Sequence, residues 1–164
     1  LSMGHRNPQG LFFNKKENFL MSTENGPFGG DEINLIDLNI KEIKNYGWAI
    51  SSYGDHYPGR TKEVKKKYPL YNSHSEHGFI EPLKWFTPAL GISEIIQIDV
   101  NKYLFAGMRA QAIFTFVLNE NNELEDLQEI KIGQRVRDVA FNDDTIFLFL
   151  ETNSSIAIVK GLKN

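Results

Sequence analysis

Two stretches near the start of the chain concentrate residues able to do chemistry: Gly4-His5-Arg6-Asn7-Pro8-Gln9-Gly10 and Gly26-Pro27-Phe28-Gly29-Gly30-Asp31-Glu32. Glycine lets the backbone approach a ligand closely. Proline fixes φ and leaves a carbonyl with no donor beside it. An Arg presents a planar donor fork to carboxylates, and Asn and Gln supply both donors and acceptors. Together these types suit an anionic, oxygen-rich ligand held beside a cation. As residues alone they are equally turn formers: Asn7-Pro8 starts a turn, Arg6, Asn7 and Gln9 bond to backbone, and Gly26-Pro27 is a corner.

Arg135 and Arg137 are two apart. In an extended segment that spacing puts both on one face. A like-charged pair there needs an anion, or else water at a solvated edge. Asp31 and Glu32 read as structural acids that hold the turn through backbone hydrogen bonds. His5 lies inside the first stretch and reads as structural. His74-x-x-His77 has no third ligand at a convincing spacing for a metal.

The chain has 164 residues, a net charge of −3 and no cysteine. It can bury a core as one domain. Its charge gives no sign of a nucleic-acid partner, and disulfides and thiolate chemistry are excluded. No apolar run is long enough to span a membrane, and the first residues do not read as a signal peptide. The basic run Lys62 to Lys67 reads as a solvated loop face.

These residues must be positioned by short strands. Period-two segments rich in Ile, Phe and Val run over 19–23, 33–36, 94–98, 102–106, 113–118, 127–132, 136–141, 146–150 and 156–159. Turn clusters such as Asn119-Glu120-Asn121-Asn122 and Asn142-Asp143-Asp144 separate them. Leu38 to Lys44 could form one helical turn at most. Residues 55–82 lack periodicity and read as a long excursion, expected over one end of the strands.

G-H-R-N-P-Q-G, E-N-G-P-F-G-G-D-E-I-N and Asn45-Tyr46-Gly47-Trp48 resemble the glucose/sorbosone dehydrogenase family. So do Trp85-Phe86-Thr87-Pro88-Ala89, Leu104 to Arg109 and Gln134 to Val139, in the family's order. The resemblance implies an all-β fold of about three four-stranded antiparallel blades, the C-terminal half of a six-bladed β-propeller, over 1–164. It implies pyrroloquinoline quinone (PQQ) and calcium as cofactors, with an aldose sugar and an electron acceptor as partners of the complete protein. It further implies that Arg6, Asn7, Gln9, Arg109, Arg135 and Arg137 contact the cofactor and that Arg6 stabilises the quinone oxygen. Gly26 and Pro27 would ligate calcium through their carbonyls, and Trp85 would line the substrate or cofactor face. Trp85 reads equally as a core tryptophan, and Asn25 departs from the His or Gln usual before Gly-Pro. No residue matches the family's histidine base. The complete protein is expected to be periplasmic or extracellular. An open arc of blades leaves an apolar face at each end, so a homodimer or association with an N-terminal half is expected. The alternative role is a non-enzymatic interaction module on the same fold.

Overall fold

A computed structural model describes residues 1–161. The strands are β1 (Ser2–Met3), β2 (Pro8–Asn14), β3 (Phe19–Glu24), β4 (Asp31–Asp37), β5 (Lys44–Asn45) and β6 (Lys84–Phe86), then β7 (Ile92–Asp99), β8 (Lys102–Gly107), β9 (Ala112–Leu118) and β10 (Leu124–Lys131), and finally β11 (Val136–Asn142), β12 (Thr145–Leu150) and β13 (Ser155–Lys160). Helix α1 (Lys62–Lys67) and a 3₁₀ turn (Ser75–His77) lie between β5 and β6. Three antiparallel sheets form the blades, in the orders β2-β3-β4-β6, β7-β8-β9-β10 and β11-β12-β13. The third blade has three strands among the described residues. The short β1 and β5 pair in parallel beside the first blade. The first strand of the second blade, β7, packs on β2 and β3 on one side and on β11 on the other. The arc is a propeller segment and does not close.

Alternation explains the stacking. In β8, Tyr103 and Phe105 point toward the first blade and meet Phe19, Met21 and Ile33. Leu104 and Ala106 point the other way, to Val136, Val139, Ile146 and Leu148. The second blade therefore buries both faces, which is why β8 and β9 are continuous apolar runs.

Side-chain bonds to backbone step from blade to blade beside the inner strands. Thr23 Oγ1 donates to the Ser93 carbonyl, and Ser93 Oγ donates to the Val136 carbonyl at 2.8 Å.

The outer face of the third blade is apolar and bare, with Phe149, Ile156 and Ile158 at 44%, 68% and 60% exposure. The first blade differs from the expectation of a second bare face. Leu11 and Phe13 are exposed there, but Ser22, Glu24, Glu32 and Asn34 make the part of that face nearest the corner polar, and residues of the β5–β6 excursion cover it.

The nine expected strands all form, with ends shifted by up to three residues. Strand β2 was not expected, because the run Leu11-Phe12-Phe13 does not alternate. The basic run is solvated as expected but helical rather than looped: α1 buries no residue. Thr61 Oγ1 caps it by accepting from Val64 N–H, Glu63 sits in its first turn and three lysines in its last. These placements match the helix dipole. Residues 38–44 form no helix.

Candidate functional site

Asp31 organises the site. It begins β4 and is 1% exposed. Its Oδ1 accepts from Gly26 N–H at 3.1 Å, and its Oδ2 accepts from Gly91 N–H at 2.7 Å and Ile92 N–H at 3.2 Å. One carboxylate thus ties the Gly-Pro corner of the first blade to the entry strand of the second. The Met108 and Ala110 amides donate to the Gly91 and Leu90 carbonyls at 2.8 and 2.9 Å. That fixes the β8–β9 turn, and with it Arg109, beside the corner. Gly26 must be glycine, because a Cβ there would collide with the Gly29 and Gly30 carbonyl oxygens. The excursion closes over this corner through Phe28 and Asp55, whose backbones pair in both directions at 2.9 and 3.0 Å.

Under the corner lies a buried polar hub. Glu24 Oε2 accepts from Arg6 N–H at 2.9 Å. Its Oε1 accepts from Asn34 Nδ2 at 2.9 Å and pairs with His5 Nδ1 at 2.5 Å. Burial raises this carboxyl, but the His5 and Asn34 bonds, the His5 charge and the Arg6 amide outweigh it. Its pKa falls below the usual value. Glu32, two residues along β4 from Asn34, goes the opposite way. Burial, reinforced by Glu24, Glu81 and Asp31 and only partly offset by Asn34, pushes it up to about 8. It faces His74 at 3.6 Å. Burial holds His74 below its ordinary value despite the nearby Glu81. A protonated Glu32 and a neutral His74 are therefore the stable pair near neutral pH.

Arg6 emerges from this hub. Its Nη1 donates to the Asn25 carbonyl at 2.7 Å, and its guanidinium lies 5.1 Å from the Trp48 ring centroid, a cation–π contact. Its Nε is buried without a hydrogen-bond partner. Arg6 and Arg109 both line one cleft of about 320 Å³, with Asn7, Gly26, Pro27 and Asp31. A neighbouring cleft of about 310 Å³ shares Arg6 and Pro27.

The structure thus brings Arg6, Asn7, Gly26, Pro27 and Arg109 together. Gln9 stands outside: it is exposed, and its Nε2 donates to Asn7 Oδ1 at 3.1 Å and to the Pro8 carbonyl at 3.0 Å. Arg135 and Arg137 lie at the same end of the arc, at the start of β11. Both meet Glu151, each at 2.7 Å. The anion facing this pair is the protein's own carboxylate. Arg135 Nη2 also reaches Met108 Sδ at 3.7 Å, next to Arg109. Trp85 is not a core residue. It is 44% exposed and stacks on Tyr53 at 4.5 Å, outside the lining of these clefts. Asp31 holds the turn as expected; Glu32 does not, because its side chain faces Asn34 and His74 instead. His74 and His77 diverge, His77 stacking on Tyr71 at 4.0 Å.

Sequence reading missed Glu24, Trp48 and Tyr57. Their signal was weak. Ser22 and Glu24 on β3 and Glu32 and Asn34 on β4 alternate with apolar residues, which reads as a solvated face until the excursion covers it. Among the described residues no group of three His, Cys, Asp or Glu suits a metal ion, and no helix is long and apolar enough to cross a membrane.

A family model described as glucose/sorbosone dehydrogenase matches residues 1–160. The chain is 30% identical over 167 residues to aldose sugar dehydrogenase YliI of Escherichia coli K12, covering 97% of this chain and 42% of that protein. It is 35% identical over 150 residues to an uncharacterized protein of Synechocystis sp., covering 87% and 34%. A shorter match, 47% identical over 57 residues, joins it to quinoprotein glucose dehydrogenase B of Acinetobacter calcoaceticus, covering 33% and 10%. A crystal structure of a glucose dehydrogenase superposes with a TM-score of 0.78 at 26% identity, covering 97% of this chain and 45% of that one. The chain therefore spans less than half the length of these relatives.

Proposed function

Because the chain belongs to the glucose/sorbosone dehydrogenase family, we propose that it forms the cofactor-holding part of a quinone-dependent enzyme that oxidises an aldose at its anomeric carbon. It would be the C-terminal half of a six-bladed ring, acting outside the cytoplasm. The observation that carries this reading is the placement of Arg6 and Arg109 on one cleft of about 320 Å³ bounded by the Gly26-Pro27 corner.

The residues present fit the cofactor. PQQ is a planar tricarboxylate, and the cleft offers two guanidiniums, one with a buried unpartnered Nε, and the Asn7 amide. A cation here would rely on carbonyl oxygens, those of Gly26 and Pro27, and on oxygens of the ligand, a donor set calcium accepts. When bound, PQQ would supply the acceptor for a hydride from the anomeric carbon, with calcium polarising it. The chain's own groups bind and orient. Arg6 and Arg109 would clamp carboxylate or quinone oxygens, and Arg6 would meet the negative charge that develops. Asp31 holds the corner and Gly91 in register so that both arginines face one space. Arg135 and Arg137 would join by turning from Glu151 toward the ligand, and Gln9 by leaving its bond to Asn7. Trp85 would offer its exposed ring to the sugar. The hydroxyl proton would pass to a base that this chain does not supply.

The bare third-blade face favours association with an N-terminal half or a second copy of the chain. That same face is what an interaction module would use, so the alternative role also draws on it. Titrating PQQ with calcium into the purified chain, followed by tryptophan fluorescence, tests the function. Saturable quenching that Arg109→Ala weakens supports it, and no quenching overturns it. With an artificial electron acceptor and an aldose, the chain alone should turn over no faster than a control without protein. Light scattering should find a dimer or larger assembly; a clean monomer would contradict the exposed-face argument.

A further inference from the structure

The β5–β6 excursion carries a basic strip on the surface beside the site. Residues 60–67 hold five cations, Arg60, Lys62, Lys65, Lys66 and Lys67, and one acid, Glu63, a net +4. The whole chain carries −3, so everything outside this strip carries −7. The strip is α1 with the residues just before it, and α1 buries no residue. The one ion pair it makes among the described residues joins Lys65 to Asp55 at 3.5 Å. Like charges this dense repel one another, and the fold does little to offset them.

Aromatic surface borders the strip. Trp48, Tyr57 and Tyr68 are 36%, 50% and 56% exposed, and with Arg60 they wall the cleft of about 310 Å³. Tyr68 joins strip and cleft: it caps the C-terminus of α1, and Lys67 Nζ lies 5.2 Å from its ring centroid. The cleft leads on to the Arg6–Arg109 cleft, since Arg6, Pro27 and Tyr57 line both. An aromatic floor inside a charged rim is the make-up of a protein-binding patch. This one opens beside the space assigned above to the cofactor.

We propose that this patch is the docking surface for an acidic protein, a single-electron carrier that takes up the electrons of sugar oxidation. The partner's role rests on the sugar-oxidising reading above; the docking itself does not. Oxidising one aldose to its lactone releases two electrons and two protons. Two carriers would each take one electron at the patch, and the protons would leave to water. Positive charge at the rim steers an acidic partner to the mouth of the cleft and disfavours a basic one. A bilayer fits less well. Val64 is the only apolar residue of α1, so the helix offers no apolar face to lipid. The three rings wall a cleft rather than standing out as a wedge.

Surface plasmon resonance on the full chain tests this with flavodoxin, an acidic single-electron carrier, against cytochrome c, a basic one. Flavodoxin should bind at low salt, and the binding should fade as salt shortens the range of the charges. Lys62→Glu with Lys66→Glu should weaken it at least about tenfold. These variants should fold, because α1 buries nothing. The same reversal at Lys15 and Lys16, in the turn at the far end of β2, should leave binding unchanged. Tyr68→Ala should weaken binding at every salt concentration, as loss of a floor contact would. PQQ titration should be unaffected by the two α1 reversals, since neither lysine lines a cleft. No flavodoxin binding at low salt returns α1 to a solvated face and overturns the proposal. Equal loss from the Lys15 and Lys16 reversals, or equally tight cytochrome c, overturns it too. Capture by phosphatidylglycerol vesicles without flavodoxin binding would assign the strip to a membrane surface instead. Flavodoxin binding intact in a chain that fails to take up PQQ would sink the quinone reading and leave the docking surface standing.

Discussion

The first-blade corner and the third-blade rim both carry arginines at the same end of the arc, but they keep them differently. Arg6 rises from a buried hub, with its main-chain amide on Glu24 and its Nε without a partner. Arg135 and Arg137 share Glu151 near the surface. The corner keeps a buried, unpartnered Nε on an arginine that lines a cleft, whereas the rim has already found its anion. Burial makes the first arrangement costly to disturb. Exposure makes the second weak and exchangeable.

The largest effect should come from breaking the corner itself. Asp31→Ala would orphan two buried amide donors and one half-buried one, each at about 1–3 kcal/mol. Urea denaturation should show a loss of at least that order, and Asp31→Asn a smaller one. If Asp31→Ala unfolds at the wild-type midpoint, the corner is not what organises this end. Next, Arg6→Ala should weaken PQQ by about ten- to a hundredfold, from a lost charge-assisted bond of about 1.5–3 kcal/mol, with a much smaller change in Tm. Arg6→Lys should not rescue it, because a point charge cannot replace a planar fork. Equal PQQ affinity in both variants and wild type would remove the distinction between corner and rim.

A third effect is a slope. The Glu32 pKa rises to about 8 in the folded chain, from an ordinary 4.5. The native state therefore holds more protons than the unfolded state between those values. Glu32 contributes stability below about 4.5 that is lost as pH rises through 8, at up to about 1.4 kcal/mol per pH unit. The lowered His74 acts oppositely, its contribution growing as pH rises through its folded value toward 6.5. Glu32→Gln should flatten the decline toward pH 8 in a Tm-versus-pH series. An unchanged slope would place the proton elsewhere. The smallest effect on stability belongs to Glu151→Gln, a half-exposed surface partner. Tm should barely move, yet PQQ should bind more tightly if Arg135 and Arg137 are released toward it. Unchanged affinity would confine the pair to the rim.

The blades were legible because alternation is a local property: Tyr103 to Ala106 face opposite ways whatever surrounds them. The Gly-Pro corner and the arginines were legible as residue types. Their grouping depended on Asp31 reaching Gly91, sixty residues away, which no spacing rule conveys. Glu32 was misread for the same reason: a polar strand face becomes buried only when the excursion folds over the blade and brings His74 against it. Helix α1 was missed because its lysines suggested solvent, while its capping threonine lay just outside the charge run.

The bonds from Thr23 to Ser93 and from Ser93 to Val136 have a consequence for how the chain comes apart. Stacked units that touch only through apolar faces can open one at a time, as repeat arrays do. Here one residue at the second blade's entry, Ser93, accepts from the first blade through its carbonyl and donates to the third through its hydroxyl. Opening either interface strands a buried polar group. The three blades should therefore exchange their slowest amide protons as one cooperative unit, with no sub-global opening that releases the third blade alone.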